Sequence, residues 1–112
     1  RLLYLCWKAG LPLPIPQLLI EDLGQSFRAY VDFAWPDLGV FMEFDGREKY
    51  HRFRRDGESL EQFLHREKRR EELICQLTGW ICIRITWADL DRPGQTATRV
   101  RKLLASRGRP RS

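Results

Sequence analysis

Residues 30–46 read YVDFAWPDLGVFMEFDG. The segments at 26–35 and 39–45 are rich in aromatic and β-branched residues, and Pro36-Asp37-Leu38-Gly39 between them carries turn chemistry, so the stretch reads as two strands joined by a tight turn. A symmetric turn sets Asp32 opposite Glu43, and the alternation of side chains along a strand puts Asp45 on the face of Glu43. Three carboxylates then crowd one patch of a small sheet. Two unit charges ~5 Å apart at an effective dielectric of ~20 repel by roughly 3 kcal/mol, and like charges directly opposite destabilise a hairpin. A divalent cation with oxygen ligands is the simplest offset.

Working outward, Arg1–Ala9 reads as a helix stopped at Gly10. Pro12, Pro14 and Pro16 impose an extended, stiff connection. A short strand is expected over 17–22 and a turn at Leu23-Gly24-Gln25. Beyond the hairpin, 46–58 reads as a polar loop with Arg47, Lys49, Arg52, Arg54 and Arg55 as its cations. Ser59 with Gln62 is a capping-box signal for a helix running to about Thr78 and stopping at Gly79. Its apolar stripe holds Leu60, Phe63, Leu64, Ile74 and Leu77, but Glu67, Arg70 and Glu71 continue that stripe as charges. A helix crossing a polar site needs such residues on its inner face, whereas a solvated helix carries them outward. A strand over 80–87 and a last short helix packing through Val100, Leu103 and Leu104 complete the order, with a basic tail at 108–112. Three meander strands and a helix returning to a fourth strand predict an α/β (or α+β) domain with a mixed sheet covered by helices.

The chain has 112 residues, room for a single domain over 1–112 with one modest core. It holds no apolar run approaching the ~20 residues of a membrane span. Cys6, Cys75 and Cys82 form no CxxC pair, which points to reduced thiols and a cytoplasmic protein. The net charge of +5 is compatible with a polyanionic partner. Arg1 to Trp7 reads as the last turns of a helix already under way, the expected start of a C-terminal part of a longer protein.

These residues resemble the PD-(D/E)XK nuclease superfamily, and look most like its very-short-patch-repair-endonuclease-like branch. Small domains of that branch carry a D…E-x-D-G core, a charged helix and a G-W-x-x-x-R strand. The matching stretches are VDFAWP at 31–36, EFDG at 43–46, KY at 49–50, EKRRE at 67–71 and GWICIRITWADL at 79–90, which together span essentially the whole chain. Such domains also stand as C-terminal modules of actinobacterial-type proteins with an abortive-infection antitoxin-like N-terminal region.

The resemblance implies a restriction-endonuclease-like αβββαβ core and a metal-dependent DNA endonuclease using Mg2+ or Mn2+. Asp32 matches the first acidic ligand and Glu43 the acidic residue of the (D/E)-x-K motif, with Asp45 as an added ligand. Asp45 also stands where the family has its Lys. Either another cation takes that role, with Lys49 foremost and Arg70 and Arg84 beside it, or catalysis is lost and the fold serves as a DNA-binding or protein-interaction module in a toxin–antitoxin-like regulator. Arg47, Lys49, Arg52, Arg54 and Arg55 are expected to track the DNA backbone. The implied partners are DNA and an N-terminal regulatory domain of the same polypeptide.

Overall fold

The structure, a computed structural model, describes residues 1–108, and of residues 46–48 the backbone alone. The sheet has four strands in the order β1 (Ile15–Asp22), β2 (Phe27–Trp35), β3 (Val40–Phe44) and β4 (Ile81–Ile85). The first three form an antiparallel meander, and β4 pairs parallel to β3, so the sheet is mixed. A parallel neighbour needs a long crossover, and α2 (Gly46–Phe53) with α3 (Leu60–Thr78) supplies it. The helices α1 (Leu2–Lys8), α4 (Trp87–Leu90) and α5 (Pro93–Arg107) complete the described chain.

The strand alternation sorts the apolar residues onto two faces. Val40, Met42, Ile83 and Ile85 pack with Leu2, Leu5 and Cys6 of α1 and with Ala97, Val100 and Leu104 of α5. Phe41, Val31 and Ile20 pack with Ile74 of α3 on the other side, against Cys82 and Trp80. The domain is therefore a sheet between two helical layers, a mixed α/β arrangement. Trp35 is buried, its indole Nε1 donating to Pro12 O at 2.8 Å. No helix among the described residues is long and apolar enough to cross a membrane.

Two expectations are corrected here. The polar loop expected over 46–58 is helical from Gly46 to Phe53. Its Arg, Glu and Lys residues are good helix formers, and Tyr50 anchors the helix by packing edge-on to Phe63 of α3, with ring centroids 5.7 Å apart. The strand expected over 17–22 begins at Ile15; β1 lies at the sheet edge, where a proline such as Pro16 is tolerated. The capping box at Ser59 and Gln62 forms as expected, and Gly79 closes α3 in the left-handed conformation at φ 72°. Of the basic tail, Gly108 follows α5 directly and residues 109–112 lie outside the described residues.

Candidate functional site

The β2–β3 ladder pairs Trp35 with Val40, Ala34 with Phe41 and Phe33 with Met42, so the next step sets Asp32 opposite Glu43. The ladder ends there because the Asp32 carboxylate accepts the Phe44 amide at 3.0 Å. Glu43 is 1% exposed. Both carboxylates converge on one ammonium, with Lys49 Nζ 2.7 Å from Asp32 Oδ2 and 3.1 Å from Glu43 Oε2. Lys49 reaches them because α2 turns back over the end of β3. From the other side Arg70 Nη1 donates to Glu43 Oε1 at 2.9 Å, lies 3.7 Å from Glu67, and Nη2 donates to Tyr30 O. Arg70 thus stands on the inner face of α3, where the interrupted stripe pointed.

Burial sets the electrostatics of this cluster. It pushes the Glu43 carboxyl above the usual range, outweighing the charges of Lys49 and Arg70, and the Asp32 charge adds to the rise. Burial also opposes ionisation of Asp32. Hydrogen bonds from Lys49 and the Phe44 amide nonetheless hold that carboxyl below its ordinary value. Lys49 loses hydration, but the two carboxylates more than restore its proton affinity.

Arg84 pairs in register with Glu43 across the parallel ladder. Its guanidinium goes instead to Glu71, with Nε 2.7 Å from Oε1. Lys68 lies 3.2 Å from the other Glu71 oxygen. Burial works against the Glu71 charge, yet Arg84 and the surrounding hydrogen bonds keep its carboxyl below the usual range. Asp45 follows the last residue of β3, and its amide donates to Ile85 O at 2.9 Å. Of the three carboxylates expected on one patch, Asp32 and Glu43 share the Lys49 ammonium. Among the described residues no three His, Cys, Asp or Glu side chains stand together as a ligand set.

A cleft of about 800 Å3 opens over Asp32 and Lys49. Arg52, Arg66 and Arg70 line it together with Glu67, and Gln17, Tyr30, Phe44, Phe53 and Trp87 complete its wall. Of the expected backbone-tracking cations, Lys49 and Arg52 reach this cleft. Arg54 turns to Glu58 O at 3.2 Å and to the Tyr50 ring. The Arg55 amide donates to the Glu58 carboxylate at 3.0 Å. The Arg47 side chain lies outside the described residues.

Several cleft residues were missed by sequence reasoning. Arg66 precedes Arg70 by one helical turn, and Tyr30 precedes Asp32 by one strand repeat, so the two periodicities could have found both. Gln17 carried no such signal. It sits opposite Asp32 where the β1–β2 ladder is interrupted, with φ at 51°. No protein-family model, curated protein or solved structure matches the chain.

Proposed function

We propose that this chain is a metal-dependent DNA endonuclease domain hydrolysing phosphodiester bonds on a restriction-endonuclease-like fold. One observation carries the reading: carboxylates from two neighbouring strands converge on a single cation at 2.7 and 3.1 Å, at the floor of a basic cleft. The element order, with β4 parallel to β3 beyond a long helix, supports the fold.

The donor set fits Mg2+ or Mn2+. Both prefer hard oxygen ligands, and Mg2+ is commonly held by one or two carboxylates, with waters and substrate phosphate filling its remaining positions. Asp32 and Glu43 would hold the ion. Such an ion, when bound, lowers the pKa of water and neutralises phosphate oxygens. Lys49, kept protonated, donates to the scissile phosphate or orients the attacking water, taking the role of the Lys that Asp45 replaces. Arg70 steadies developing negative charge beside Glu43. Arg52 and Arg66 hold flanking phosphates, which gives affinity without sequence information.

A second reading has its own support. Lys49 fills the point where the carboxylates meet, so the pair is already compensated by an internal cation. That arrangement suits a DNA-binding module without catalysis. Nicking of supercoiled plasmid in Mg2+ or Mn2+ separates the two. The expected result is metal-dependent nicking that falls at least about 100-fold in Asp32→Ala and in Glu43→Ala, with circular dichroism unchanged. Retained nicking in both variants removes the site assignment. No nicking by the parent, with DNA binding that survives chelation and Asp32→Ala, supports the second reading.

A further inference from the structure

Aromatic side chains contribute most when buried, so their exposure in clusters asks for a reason. Among the described residues, Tyr30, Phe53 and Trp87 are 51%, 54% and 52% exposed. They come from β2, the end of α2 and the start of α4, yet all three line the cleft above Asp32. The other exposed aromatic residues, Tyr4 and Trp7, lie together on α1. The cleft rings are also held. Trp87 stacks on Phe44 with centroids 5.5 Å apart and planes 28° from parallel. Phe53 carries the Arg52 guanidinium 5.3 Å from its centroid. Lys49, Arg52, Arg66 and Arg70 line the same cleft as these rings.

A paired duplex keeps its base faces stacked inside and offers a protein only edges and phosphates. Exposed rings sharing a cleft with cations match a different ligand, an unpaired strand whose bases present open π faces and whose backbone is tracked by charge. The concavity of the cleft suits a strand with splayed bases. Resting on the nucleic-acid reading above, and narrowing it to a substrate class, we propose that the cleft binds single-stranded DNA. Bases stack on Tyr30, Phe53 and Trp87 while the intervening phosphate lies over Asp32, Glu43 and Lys49.

The test is fluorescence anisotropy with labelled oligodeoxythymidine and with a blunt duplex of the same length, in chelator so that no cleavage intervenes. The single strand is expected to bind at least about tenfold tighter. Tyr30→Ala, Phe53→Ala and Trp87→Ala are each expected to weaken it by about 5- to 150-fold, the range of ~1–3 kcal/mol per stacked base. Tyr30→Phe and Trp87→Phe, which keep a ring, should retain most of the affinity, and their folding is read from thermal melting. Equal or tighter duplex binding overturns the inference, as does unchanged affinity in folded alanine variants or the absence of binding to either probe. The two readings fail separately. Plasmid nicking that depends on Asp32 without single-strand preference removes only this inference. Single-strand binding without nicking in any metal removes only catalysis.

Discussion

Lys49 holds together two carboxylates that would otherwise repel, and the pair in turn keeps it charged. The linkage follows from the direction of each shift. The Asp32 carboxyl titrates below its unfolded value, so its contribution to stability is present above the unfolded carboxylate range and is lost as pH falls through the folded value. Glu43 has the opposite sign. Burial raises its carboxyl, so its contribution is present below the unfolded value and is lost as pH rises through the folded one. Lys49→Met leaves Glu43 with Arg70 and Asp32 with the Phe44 amide to compensate them. The expected cost in urea unfolding is about 1–3 kcal/mol at pH 7, shrinking toward pH 4 as the Glu43 carboxyl, raised by burial, protonates. An equal loss at both pH values would show that packing of the Lys49 stem, not its charge, matters. Asp32 and Glu43 were legible because a symmetric turn fixes strand register. The attachment of Lys49 to them was legible only as a loop folding back. The sequence could not show that Asp45 falls one residue past the strand, because pleat alternation holds only while the strand lasts.

At the scale of elements, the corner between α2 and α3 decides where Lys49, Arg52 and Phe53 stand. Glu58 organises it. Its carboxylate accepts from Arg66 at two positions, 3.0 Å each, and its carbonyl accepts Tyr50 Oη at 2.9 Å. Hydrogen bonds from Arg66 and from the Arg55 amide lower the Glu58 carboxyl to about 2. Its contribution is therefore present above the ordinary carboxylate range and fades as pH falls toward that value. Glu58→Gln is expected to speed hydrogen exchange of the α2 amides at neutral pH by about three- to tenfold, the equivalent of one neutralised, solvent-screened interaction, with the middle of α3 unchanged. Unchanged exchange in α2 would mean that the Tyr50–Phe63 contact alone sets the corner. The long helix was readable from its capping box and its terminal glycine. Helix α2 was not, because a segment without apolar periodicity resembles a loop. Short α4 was also missed, since Trp87 read as the end of a strand although Thr86 and Asp89 form a capping box there.

Across the whole molecule, the polar cluster and α3 share one face of the sheet, while α1 and α5 cover the other. The order of elements was legible because three meander strands and a returning helix leave few ways to close a small sheet. The division of helices between faces needed side-chain packing to see. Leu104→Ala is expected to cost about 2–5 kcal/mol through the cavity it leaves. On the proposed function, DNA affinity at a temperature where the variant remains folded should not change, and weakened binding there would show that the two faces communicate. The α1–α5 side is closed by partners far apart in the chain, such as Arg101 Nη2 donating to Ala9 O across 92 residues. Chains are synthesised from the N-terminus at about 5–20 residues per second. While a ribosome makes this one, Leu2, Leu5 and Cys6 wait through nearly the entire translation of the domain before Val100 and Leu104 emerge to meet them. Until then α5 cannot cover its share of that sheet face, and the nascent chain keeps part of it open to water.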